Sequence, residues 1–456
     1  MVDQDRVIAL NRFGLGARPG DLSRIGDARG WLVGQLRPQP PPTLFSGFPD
    51  SLSLLQHERQ VLQILETPDT RTMRLDLGHR LYSDVANELV ARTQFALRTE
   101  NSFSERLVRF WSNHFAVSVD KQLASLYAVP MEREAIRRHL LGNFSEMLLA
   151  VETHPAMLRY LDNVYSIGAD SPYVRRWFGG SPNHPGMNEN LAREIFELHT
   201  LGVHGGYSQN DVIELAQAIT GWGVIRPSDP GHARDSFCFH PGGHEPGVRT
   251  VLGKRYAVSG VEQGRSILRD LARHPATAHH LAFKLARHFV SDNPPATLVD
   301  RLSRSFLDTG GYLPELYRTL IGSSEAWAAT AEKFKTPEEW LLSSCRACAI
   351  DADTPEQLRV IKQLSTQLGQ LPLDPQSPAG YADTQADWVA PDAVYKRIQA
   401  SQMLAELVPS DRSGLSIARS VVGDTLDAET SRALSHAESA RQALTLWLAS
   451  PSFQWR

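Results

Sequence analysis

Asn190, Glu194 and Glu197 lie at i, i+4 and i+7 within residues 188–222. At about 100° per residue they share one face of a helix. Arg193 sits at the edge of that face, one turn from Glu197. Paired carboxylates with a guanidinium beside them suit proton transfer and the holding of a substrate anion. Glu194, Glu197 and Arg193 are therefore the candidate catalytic group, with Asn190 on the substrate side. The same spacing also fits a solvated face with an i, i+4 ion pair, worth only tenths of a kcal/mol.

Histidine supplies a second set: 13 of the 16 histidines fall between His114 and His288. His114 sits near the end of SERLVRFWSNHF, His199 lies almost opposite the carboxylates, and His244 falls in a glycine-rich loop. Asp211 opens the helix after Gly205 and Gly206, three residues beyond a Ser208 N-cap. Imidazole and carboxylate together suit a divalent metal, Fe, Mn or Zn, able to activate water or dioxygen. His114, His199, His244 and Asp211 are its expected ligands. Their spacing matches no established metal motif: there is no H-E-x-x-H, and Glu197 and His199, two apart, face different directions. A lone histidine at a helix end is also an ordinary capping or core group.

A third set comes from HPATAHHLAFKLARHF. His280, Lys284, Arg287 and His288 form one polar face beside Leu281, Leu285 and Phe289. Lys284 and Arg287 are expected to bind an anion or to pair with Glu194 and Glu197, with Trp222 at the edge of the substrate site. A solvated basic face competes with that reading.

These groups need helices to carry them. Apolar periodicity predicts helices over about 72–99, from 104 to 118, over 132–150 and 155–161, and either side of Gly202–Gly206. Two more begin near Gly260 and Pro275, and helical patterning then runs to the C-terminus, broken by a loop at 370–388. Residues 170–186 read as a long irregular loop. Short alternating runs at 236–240 and 248–252 suggest a β-hairpin. The expected fold is mainly α, a single large multi-helix domain with a small β-hairpin insertion. Residues 1–335 form the core that carries the site and the hairpin, and 336–456 form a C-terminal helical part packed on it.

Composition narrows the function classes. The chain has 456 residues, a net charge of −4, 42% apolar and 21% charged residues. That gives no general attraction to nucleic acid or anionic membrane. No apolar run approaches the roughly 18 residues that cross a bilayer. The N-terminus lacks a basic region followed by an apolar run, so cytoplasmic residence is the default expectation, with export on a signal-bearing partner the alternative. Cys238, Cys345 and Cys348 are too few for a disulfide framework. Cys345 and Cys348 form C-x-x-C inside a helical segment, where two small residues on a buried face are the better account. NRFGLGARP at 11–19 reads as a tight turn without a phosphate loop's preceding strand.

Several segments together resemble the DUF1800 family, a large bacterial family of undefined function. They are NRFGLGARPGD, RFWSNHF, HPAML with Asp162, the NENLAREIFELHTLGV to TGW block, HEPG, HPATAHHLAFKLARHF and LASPSFQ. Gln370, Gly380, Tyr381, Trp388 and Arg397 also fit. Glu245 stands where the family usually has Asp, and Arg249 where it usually has Lys, which keeps charge and changes reach. The resemblance implies a mostly helical single domain, often encoded beside a sulfatase-like partner family, DUF1501. It carries no agreed reaction and no catalytic residue. Two functions are then open: an enzyme with a buried Glu/His/Arg pocket, a metal-dependent hydrolase or oxidoreductase, and a non-catalytic scaffold or export companion of a DUF1501 protein.

Overall fold

The computed structural model describes residues 2–63, 68–179, 181, 183–225 and 235–456. Helices dominate them, with two small two-stranded antiparallel sheets. A long helix, α1 (Pro68–Arg98), leads into α2 (Ser102–His114). Helix α2 is buried on nearly every side. Phe103, Leu107 and Trp111 enter the core, and Glu105, Arg106, Arg109 and His114 are buried with them. Buried charges persist only when paired, so α2 commits the neighbouring elements to supplying partners. Trp111 itself donates from its indole nitrogen to the Tyr317 hydroxyl at 2.7 Å.

The helix expected over 132–150 is divided. A helix at Gln122–Met131 runs into a widened π turn at Glu132–Arg137, and α3 (Phe144–Glu152) starts afresh after Gly142 and Asn143. The next helix, α4 (Asn190–Glu194), also widens into a π turn at Ile195–His199. Such a turn adds the equivalent of one residue, and the side chains beyond it swing by about 100°. Helix α5 (Gln209–Ala218) opens with the expected Ser208–Asp211 capping box. Helix α6 (Pro275–Phe289) starts with Pro275 at its first position and the His274 ring capping the Ala276 amide. It packs along the Ala296–Asp308 helix, and its Leu281, Leu285 and Phe289 are buried. Helix α7 (Pro337–Cys348) has a second capping box, Thr336 with Glu339, and buries Trp340.

Two local expectations change. Residues 170–186 are not wholly irregular: Pro172–Phe178 is helical, capped by Ser171 and closed by Gly179 at φ 51°, while 180 and 182 lie outside the described residues. The expected hairpin is re-paired. β1 (Trp222–Val224) pairs with β2 (Phe237–Phe239), and β3 (Arg249–Val251) with β4 (Lys254–Tyr256). The second pair turns through Leu252 and Gly253, both at positive φ, the geometry that a two-residue hairpin needs. Its first turn residue is a leucine, which seldom adopts it.

Buried apolar residues from Ile8 to Phe453 belong to one cluster, so 1–335 and 336–456 share a core. Among the described residues no helix is long and apolar enough to cross a membrane.

Candidate functional site

A cavity of about 290 Å³ opens between α2, α6, the start of α7 and the loop around 379–383. Its walls are charged. Arg106 and Arg109 come from α2, Lys284, Arg287 and His288 from α6, Glu338 and Glu339 from α7, and Asp383 from the loop. The volume lies at the small end of ligand pockets, about 300–1,000 Å³.

The arginines are held in place by carboxylates. Glu339 receives Arg106 and, at 2.7 and 3.1 Å, Arg456 from the far end of the chain. Burial opposes its ionisation, but Arg106 and Arg456 hold its carboxyl far below the usual range. The Arg106 Nε donates to His288 Nε2 at 3.2 Å, which fixes that ring as an acceptor. Burial and Arg106 keep His288 neutral. Glu338 receives Arg109, and Arg92 at 3.1 Å, and Arg92 continues to Glu132 at 2.8 Å. Burial works against Glu132 as an anion, and Arg92 and Arg137 hold it down at about 2. The wall is thus a paired, hydrogen-bonded lattice that is not free to swing.

The loop over the cavity is also pinned. Asn113 donates from Nδ2 to the Tyr381 carbonyl at 2.8 Å and accepts from its amide at 2.7 Å. Gly380 has φ +79°, and a Cβ there would stand 2.3 Å from the Asn113 carbonyl oxygen. The Tyr381 hydroxyl donates to the Leu371 and Asp374 carbonyls. Asp383 meets Arg287 at 3.0 Å.

Lys284 differs from its neighbours. Among the described residues, no hydrogen-bond or ion-pair acceptor lies in reach of its amine. Two fully buried lysines do have acceptors: Lys333 bonds Asp292 at 2.6 Å and Lys335 bonds Ser343 at 3.1 Å. Burial pulls Lys284 down from 10.5 to about 8, Asp383 attracting the charge and Arg287 repelling it.

Behind Lys284 the cavity wall passes into a histidine cluster. His114, fully buried, has its ring 6.2 Å from those of His199 and His280. Its Nε2 meets the His199 carbonyl at 3.2 Å, and His280 Nε2 meets the Leu198 carbonyl at 3.1 Å. Both bonds require a ring N–H donor at Nε2. Burial lowers both histidines, with Lys284 adding to the effect: His280 to about 4, and His114 well below its ordinary value. The π turn brings His199 inward, where its Nδ1 lies 2.8 Å from Glu152 Oε1. Glu152 Oε2, His199 Nε2 and His114 Nδ1 are buried without a hydrogen-bond partner.

The residues chosen from sequence fall into three places. His114, His199, Lys284 and Arg287 converge at the cavity and the cluster behind it. Glu194 is half-buried nearby, its pKa raised by burial and then by Glu197 against the pull of His199. Arg193 and Glu197 form a partly exposed surface group with Glu189 and Gln209, at 3.6, 3.1 and 3.0 Å from Arg193, and Asn190 is exposed. The remaining three are elsewhere. Asp211 caps α5 and accepts the Leu252 amide at 2.7 Å. His244 packs on Phe239 and meets the Thr220 carbonyl at 3.1 Å. Trp222 is core, set against Phe237 and Gly264. Among the described residues no group of three or more His, Cys, Asp or Glu is arranged to hold a metal. Cys345 and Cys348 are free and buried, and burial pushes Cys348 up to about 12.

Sequence reasoning missed Glu152, Glu338, Glu339 and Asp383. A signal for two of them was present: TPEEW has a second carboxylate beside the one that the capping box uses.

The family model of DUF1800, a protein family of unknown function, matches residues 8–455. The chain belongs to the DUF1800 family. No curated protein and no solved structure matches it.

Proposed function

In a family without an assigned reaction, we propose that this protein is an enzyme acting on a small anionic molecule in the cavity between α2, α6 and α7. The observation that carries this is Lys284, half-buried and unpaired in a wall where each arginine has a carboxylate. The lining cations Arg106, Arg109, Lys284 and Arg287 exceed the carboxylates Glu338, Glu339 and Asp383 by the charge on Lys284. A carboxylate or phosphate on the substrate would supply the missing partner. With its pKa brought to about 8, Lys284 is part neutral at pH 7, the condition for a proton acceptor or nucleophile. His114 lines the same cavity, its ring held by the His199 carbonyl at 3.2 Å.

The Glu/His/Arg pocket of this reading uses Glu338, Glu339, His114, His288, Arg106 and Arg109 more than the surface group of α4. The metal-dependent hydrolase or oxidoreductase draws little support from the dispersed positions of His244 and Asp211. The alternative, a companion of a DUF1501 protein, does not call for a half-buried amine, since a docking face needs none.

A thermal-shift series at low ionic strength tests the proposal, using small carboxylates and inorganic phosphate with wild type and Lys284→Met. The expected result is an anion-dependent rise in Tm for wild type that the variant lacks. Equal responses of the two proteins, or none, would sink it.

A further inference from the structure

We infer that Lys284 forms a covalent imine with the carbonyl carbon of a small 2-oxo acid or aldehyde acid. The inference rests on the anion-binding cavity proposed above and assigns its substrate class. Lysine is scarce in this chain: seven of the 47 basic residues are Lys. Arginine serves the buried ion pairs at Arg92, Arg106, Arg109 and Arg456. An arginine side chain keeps its proton and cannot attack a carbonyl. Among the described cations lining the cavity, the half-buried one without a carboxylate partner is the basic side chain that can lose its proton.

The surroundings fit the steps. Neutral Lys284 adds to the carbonyl carbon, forming a C–N bond and a carbinolamine. The C–O bond then breaks. One amine proton and one proton from solvent leave with the carbonyl oxygen as water, and a protonated imine remains. Its positive charge stands where the ammonium stood, so Asp383 attracts it as it attracts the ammonium. Arg287, one turn along α6 and held by Asp383 at 3.0 Å, and Arg106 on the facing wall present guanidinium groups to the substrate carboxylate. The cavity's 290 Å³ accommodates a short acid.

Trapping tests this on the intact chain. Wild type is incubated near neutral pH with glyoxylate and sodium cyanoborohydride, and its peptides are mapped by mass. Expected is the mass gain of one carboxymethyl group on Lys284, at least tenfold faster than on exposed Lys362, and slowed by excess oxalate, a carbonyl-free analogue. Lys335→Arg should retain the adduct. Modification of Lys284 no faster than that of Lys362 overturns the inference. Oxalate binding, read by thermal shift on the same sample, separates the two readings. If oxalate binds and no adduct forms, the imine fails and the anion-binding enzyme stands. If oxalate does not bind and no adduct forms, both fail.

Discussion

An ammonium partly buried in protein and lacking a counter-ion in contact destabilises the fold that holds it. For Lys284 the sign is definite. Its folded pKa of about 8 lies below the ordinary 10.5, so the unfolded chain binds more protons between those values and stability rises with pH across that window. The penalty is complete below pH 8 and gone near 10.5. Lys284→Met should therefore stabilise the protein by about 2 kcal/mol at pH 7, less than the roughly 3 kcal/mol that the whole shift represents. The gain should shrink toward zero as pH approaches 10.5. Urea melts of both proteins across that range check it, and a pH-independent difference would mean that packing, not charge, is involved. The charged face of α6 was visible in the sequence because Lys284, Arg287 and His288 interrupt an apolar pattern. Glu152 was not, since a single carboxylate ending FSEMLLAVE looks like any solvated helix end, yet it is fully buried on His199.

Helices were legible as elements, and their irregularities were not. The apolar stripe of α6 gave its start and its buried face, and Ser208 with Asp211 gave the start of α5. The π turn at Ile195–His199 covers five residues at the helix end, too few for its phase shift to stand out in the apolar periodicity. It sets His199 inside while Glu197 stays at the surface. The strand pairing failed for a similar reason: alternation marks the strands, but which two pair depends on tertiary contacts such as Asn163 Nδ2 donating to the Ile219 and Trp222 carbonyls. The loop at 379–383 offers a test at this scale. Gly380→Ala would put a Cβ on the Asn113 carbonyl at a backbone angle that favours glycine. Its expected cost is about 1–3 kcal/mol, with faster proteolysis within 371–383 and at least a tenfold loss of anion affinity. Unchanged affinity would show that the loop does not shape the cavity.

Across the whole molecule, the charged wall ties together residues far apart in the chain. Arg106 from α2, Glu339 from α7 and Arg456 near the C-terminus meet at one carboxylate, and the apolar cluster spans the same distance. Halves joined this way should unfold as one unit, and acid should act on both. Two terms have the same sign. Glu339 is held far below its ordinary value of 4.5, so its contribution is present above that value and is lost as pH falls through the folded one. His280, with a folded pKa of about 4 against 6.5, and His114, held well below 6.5 by burial, must take up protons when the chain unfolds, so stability declines as pH drops from 6.5. Glu339→Gln removes the shared anion and leaves Arg106 and Arg456 facing each other. The expected loss is about 3–5 kcal/mol at pH 7, read by chemical denaturation as one transition moved to lower denaturant. Its midpoint should also vary less with pH below 4.5 than that of wild type, because the missing carboxylate no longer titrates. Two separated transitions in the variant would show that the two parts of the chain fold independently and that the cavity lies between separable units.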